Sequence, residues 1–119
     1  MKLVDVQGLL TAEVVAGMAW MEKEAGSVCG ADLMSDVLAF TKERTLLLTG
    51  LTNLQVIRTA EISDLVAIVF VRGKRPNCDL IQLAEEKGIP LMVCKLPLYE
   101  ACGILYYNGL PGCSRQGDE

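Results

Sequence analysis

Apolar and polar positions alternate between two rhythms along this chain. Short, almost wholly aliphatic runs lie at residues 45–49, 66–71 and 89–94. Each is too short for a helix, rich in β-branched or aliphatic side chains, and bounded by turn residues. Such runs predict strands buried on both faces, as in a parallel sheet. Between them the spacing changes to three and four. A helix is expected from Thr52 or Asn53, either of which can cap it, to about Ile62. Another should follow Asn77, with Leu80, Ile81 and Ala84 inward and Lys87-Gly88 as its stop. Pro90 stands at the start of its strand, where a missing N–H is tolerated. A last helix begins near Pro97 and turns Leu98, Cys102 and Leu105 inward.

The N-terminal third is less regular. Leu3, Val6 and Leu10 mark one face of a short helix over residues 3–10. Short strands are expected around 13–16 and 27–32, with an irregular connection over 17–26 that packs Trp20 and Met21. Ser35 then reads as the N-cap of a helix over 36–42. Strand, loop and helix recurring in this order predict right-handed crossovers on a mostly parallel sheet. The expected fold is a three-layer α/β/α domain over residues 1–110, with an antiparallel edge contributed by the irregular third. Residues 111–119 are expected to form a flexible tail.

Composition narrows the chemistry. The 119 residues are 51% hydrophobic but only 5% aromatic, as an aliphatic sheet core requires. A formal net charge of −4 argues against a nucleic-acid surface, which needs clustered cations. No apolar run approaches the roughly 20 residues that span a bilayer. The acid at Asp5 and the missing apolar core do not fit a signal peptide. A cytoplasmic location is therefore expected. Five cysteines without a CxxC spacing suggest reduced, mostly buried thiols rather than a disulfide framework or a zinc site, with Cys113 in the polar tail. The chain contains no histidine, which removes Ser-His-Asp and Cys-His catalysis and imidazole metal ligands. No cofactor or metal is called for.

Three loops follow predicted strands, where α/β sheets gather ligands. The first carries Gly30, Asp32, Ser35 and Asp36. The second carries Thr49, Gly50, Thr52 and Asn53. The third, Arg72-Gly73-Lys74-Arg75, is the densest positive charge on an acidic chain and suits phosphate or carboxylate. Each also has a plain structural reading, as a helix cap, a capped turn and a solvated loop. Tyr99, Gly103 and Tyr106 share a helix face that another subunit could approach. Cys94 beside Lys95 offers a second reading, in which a nearby ammonium lowers a thiol pKa in a small cysteine-dependent or redox-linked protein.

Several stretches resemble the DRTGG domain family. They are Gly30-Ala31-Asp32-Leu33-Met34-Ser35-Asp36-Val37, then Leu51-Thr52-Asn53 with Ser63-Asp64-Leu65-Val66-Ala67-Ile68, and then Gly73, Pro76 and Ala84-Glu85-Glu86-Lys87-Gly88-Ile89-Pro90-Leu91. The helix over 97–107 fits the end of the family pattern. The DRTGG string itself is absent, and Cys29-Gly30 stands where its two glycines would be. The resemblance implies a fold like the N-terminal domain of HPr kinase/phosphorylase. It also implies a non-catalytic regulatory or assembly role, like the modules found beside a phosphate acetyltransferase or in CBS-containing pyrophosphatases. A homodimer, a small anionic ligand or nucleotide, and a partner enzyme are the expected associates. Kinase activity is not implied, because GxxxxGK[ST] occurs nowhere in the chain.

Overall fold

The computed structural model describes residues 1–113. Its strands are β1 (Glu13–Ala16), β2 (Ser27–Gly30), β3 (Thr45–Thr49), β4 (Ala67–Phe70) and β5 (Leu91–Val93). Its helices are α1 (Leu3–Leu10), α2 (Met34–Phe40), α3 (Leu54–Ile62), α4 (Cys78–Lys87) and α5 (Leu98–Tyr107), with a 3-10 turn at Met18–Trp20. The five strands form one sheet in the order β1-β5-β4-β3-β2. The last four are parallel, and β1 runs antiparallel to β5 at one edge. The α/β architecture and antiparallel edge follow the sequence expectation.

Strand alternation builds two cores. Leu47, Ile68, Phe70, Leu91 and Val93 project to one face and are covered by α2, α3 and α4. Leu46, Leu48, Val69, Met92 and Cys94 project to the other, beneath α1 and α5. Successive connections from β2 to β5 therefore stay on one face. After β5 the chain changes face, and α5 lies back across β2 and β3. That reversal sets the start of α5 opposite the loops after β2, β3 and β4 and frames a crevice at the carboxyl ends of the parallel strands.

Local signals hold in the second half. The Asn77 side chain accepts the Leu80 N–H at 2.9 Å, and Gly88 ends α4 at φ 71. Lys87 in the last turn pairs with Glu61 of α3 at 3.3 Å. The first half departs from expectation at Ser35. It lies inside α2 and is exposed, while Leu33 occupies the N-cap and no side chain caps the helix. Starting at Met34 places Met34 and Val37, three residues apart, against the sheet, and both are buried. Their burial outweighs the capping preference of Ser35. Asn53 holds the N-cap of α3, but its side chain makes no cap bond.

The region expected to open the tail pairs with the sheet edge. The Val28 N–H donates to the Pro111 carbonyl at 2.9 Å, and Val28 pairs with Gly112 in parallel. Residues 114–119, the rest of that expected tail, lie outside the described residues.

Candidate functional site

The carboxyl ends of the parallel strands carry a cleft of about 710 Å³. Ligand pockets commonly measure about 300–1,000 Å³. Its walls come from the loops after β2, β3 and β4 and from the start of α5.

Asp32 forms the floor. Its Oδ1 accepts from the Thr49 hydroxyl at 2.9 Å and from the Gly50 N–H at 2.8 Å. Thr49 Oγ1 in turn accepts from the Leu51 N–H at 3.2 Å. The Thr49 hydroxyl is thus committed to the protein and buried, and it tethers Asp32 to the end of β3.

Arg72 and Lys74 supply the cations. Arg72 adopts φ 57 and Gly73 φ 67, so two consecutive residues are left-handed. A non-glycine residue there carries strain that surrounding bonds must hold. They do. The Arg72 N–H donates to the Leu96 carbonyl at 2.9 Å and the Gly73 N–H to the Cys94 carbonyl at 2.8 Å. The β4–α4 loop is thereby fastened to the β5–α5 connection. Among the described residues neither Arg72 nor Lys74 has an acidic partner within ion-pair distance.

The far wall is the first turn of α5, where Leu98, Tyr99 and Glu100 line the cleft. No side chain caps this helix. The unpaired N–H groups of a helix start, with the positive end of its dipole, suit an anion. Tyr99 is 85% exposed and offers an aromatic face. Asp32 and Glu100 balance the two cations, so the cleft offers both signs.

The sequence-predicted residues divide. Asp32, Arg72 and Lys74 meet in the cleft, with Thr49 behind Asp32. Arg75, from the same basic loop, turns away into a neighbouring hollow with Lys95. Its guanidinium donates two bonds to Glu13 of β1, at 2.9 and 3.0 Å, and holds that carboxyl below its ordinary range. Gly30 lies beside the cleft, in an apolar groove with Tyr99, Cys102 and Tyr106. Ser35, Thr52 and Asn53 do not line the cleft. Sequence reasoning assigned Tyr99 to subunit contact and passed over Glu100. The signal for both was the missing cap residue before the last helix.

Cys94 does not have the environment that the cysteine reading requires. It is 1% exposed, and burial pushes its thiol up, opposed only by a weak bond to the Leu96 carbonyl. No group of three or more His, Cys, Asp or Glu side chains with metal-site geometry occurs among the described residues. No helix among them is long and apolar enough to cross a membrane.

No protein-family model and no curated protein matches the sequence. Among solved structures, the chain is similar to the CBS and DRTGG domains of the regulatory region of Clostridium perfringens pyrophosphatase, complexed with its activator diadenosine tetraphosphate. The TM-score is 0.76 at 16% identity, over 98% of this chain. The chain spans about half of that structure's length, 51%. Likeness at this identity speaks to the fold, and the fold of this chain is DRTGG-like.

Proposed function

We propose that this chain is a non-catalytic regulatory and assembly module of the cytoplasm, which binds a small phosphate-bearing ligand, a nucleotide foremost, in the carboxyl-end cleft. The observation that carries this reading is the convergence of Arg72, Lys74 and the uncapped start of α5 on one wall-to-wall cavity. Phosphate suits the cations and the helix start. Hydroxyl or amino groups suit Asp32, whose second oxygen has no protein donor among the described residues. Tyr99 can take a base on its ring. A nucleotide presents all three kinds of group. The structural neighbour, a regulatory region bound to a nucleotide activator, supports a regulatory role for the fold.

The same reading has the chain pair with a second copy through α5 and bias a partner enzyme. Tyr106 and Tyr107 stand 72% and 89% exposed, with the small Gly103 between Tyr99 and Tyr106. Exposed aromatics of this kind mark association surfaces.

The test is a thermal-shift titration with ATP, diadenosine tetraphosphate and inorganic phosphate, repeated on Arg72→Ala/Lys74→Ala. Ligand at about 100 times Kd stabilises the native state by about 2.7 kcal/mol. The expected result is a ligand-specific rise in Tm that the double variant loses. A rise retained by the double variant, or no rise with any ligand, refutes binding in this cleft. Sedimentation equilibrium of the wild type and Tyr106→Asp checks the pairing separately.

A further inference from the structure

A second site lies at the β2 edge of the sheet, in the thiols. Cys29 belongs to β2, an edge strand whose outer neighbour is the C-terminal segment. Parallel pairing advances one residue at a time on both chains. Continuing the register of the isolated Val28–Gly112 bridge by one residue sets Cys29 opposite Cys113, with both side chains on the same face, and the Cys113 sulfur lies within reach of the Cys29 thiol. Paired strands lie about 4.8 Å apart. A disulfide spans about 4.4–6.8 Å between Cα atoms.

The Cys113 sulfur also acts on the Cys29 thiol. Burial raises the Cys29 thiol to about 12, and the neighbouring Cys113 sulfur pushes in the same direction. Cys102 approaches from the other side of the strand. A Cβ built on Gly30, the next residue along, would stand 2.6 Å from Cys102 Sγ. Alternation along β2 thus sets Cys102 on the other face from Cys29, although it is near enough to raise the Cys29 thiol as Cys113 does.

We propose that Cys29 and Cys113 form a redox pair, which a small disulfide such as oxidised glutathione converts into an intrachain bond tying the C-terminal segment to the β2 edge. Taken with Cys113 as the first nucleophile, the exchange balances as follows. The Cys113 thiolate breaks the small S–S bond, forms a mixed disulfide and releases one small thiolate. Cys29 then passes its proton to that thiolate and attacks the Cys113 sulfur, displacing the second small thiolate, which takes the proton released by Cys113. In sum, two protein thiols give up two electrons and two protons, and the small disulfide becomes two thiols.

The bond matters because an edge strand is a template for pairing with another chain. In the reduced protein the bonds around Val28 hold the segment in place, and in the oxidised protein a covalent link would keep that edge covered. The loop closed between residues 29 and 113 spans most of the chain, so the link removes much of the unfolded chain's freedom.

The full chain, incubated in glutathione buffers of rising oxidised fraction, would be mapped by non-reducing peptide mass spectrometry. The expected product is a Cys29–Cys113 linked peptide, lost in Cys113→Ser and kept in Cys102→Ser. Oxidation should raise Tm by on the order of 10 °C, and should slow hydrogen exchange at the Val28 amide by about tenfold or more. Glutathione remaining on Cys113 without a linked peptide, a Cys29–Cys102 bond in its place, or unchanged Val28 exchange in the oxidised chain would each overturn the proposal.

Discussion

The two ends of the sheet are built from similar residue types and use them in opposite ways. At the amino ends of the strands, polar groups are spent on one another. The buried Ser27 and Thr45 hydroxyls share a bond at 2.8 Å, and Thr45 Oγ1 also donates to the Lys42 carbonyl at 2.6 Å. The Gly17 N–H donates to Glu85 at 2.9 Å, and the N-terminal ammonium pairs with Glu24 at 2.9 Å. The hollow that remains there, between Lys23, Arg44 and Asp64, measures about 260 Å³. At the carboxyl ends Arg72 and Lys74 have no acidic partner among the described residues, beside an uncapped helix and a far larger cleft. Lys23, Arg44 and Asp64 also have no ion-pair partner among the described residues, so the two ends differ in the buried hydroxyl bonding at the first and in the larger cleft and uncapped helix start at the second. Substitutions should therefore separate, with stability lost at the first and binding at the second.

The largest effect is expected at Gly17. Its φ is 75, and a Cβ there would stand 2.5 Å from the Pro90 Cα, which is backbone and cannot swing aside. Gly17→Ala should cost about 3 kcal/mol or more, read as a lower midpoint in urea unfolding. Thr45→Val should cost about 2 kcal/mol, because it leaves Ser27 and the Lys42 carbonyl without their partner.

At the other end the two readouts should move in opposite directions. Arg72→Gly removes a cation and also the left-handed strain. Nucleotide affinity should fall by about tenfold or more, while stability holds or rises by about 0.5–1 kcal/mol. Calorimetric titration and urea unfolding of the same preparation would show whether the two separate.

A further effect should appear at high pH. Cys29 is raised from 9.0 to about 12 in the folded chain, and burial raises Cys94 and Cys102 as well. The folded state holds these protons more tightly than the unfolded state. Their contribution is complete below about pH 9 and is lost as pH rises toward 12. Stability should decline across that window, and less steeply in Cys29→Ser. The smallest effect is expected at Arg75. Its bond to Glu13 joins two side chains that are both more than half exposed, so Arg75→Ala should leave Tm and ligand affinity unchanged within error.

Much of the architecture was legible because aliphatic runs of strand length, such as residues 45–49 and 66–71, have few alternatives. Asn77 and Gly88 marked α4 because capping chemistry acts over three or four residues. The start of α2 was misread for a physical reason. Ser35 has the right chemistry for a cap, but the sheet needed Met34 buried, and burial is set by strands distant in sequence. The site was legible only in part. Residues 72–75 announced a cationic loop, yet which cations face the cleft depends on Glu13, which lies 62 positions from Arg75. It reaches Arg75 only because β1 runs antiparallel to β5. The Cys29–Cys113 facing was likewise invisible, because it rests on a parallel bridge between the edge strand and the end of the described chain.

The most direct test of the contrast between the two ends is amide chemical-shift mapping of the full chain during titration with ATP. The perturbed amides should cluster at Asp32, Gly50, Leu51, Arg72, Lys74 and Tyr99, with those of Lys23, Arg44 and Asp64 unmoved. Perturbation centred on Lys23, Arg44 and Asp64, or none anywhere at saturating nucleotide, would contradict a ligand site at the carboxyl ends of the strands.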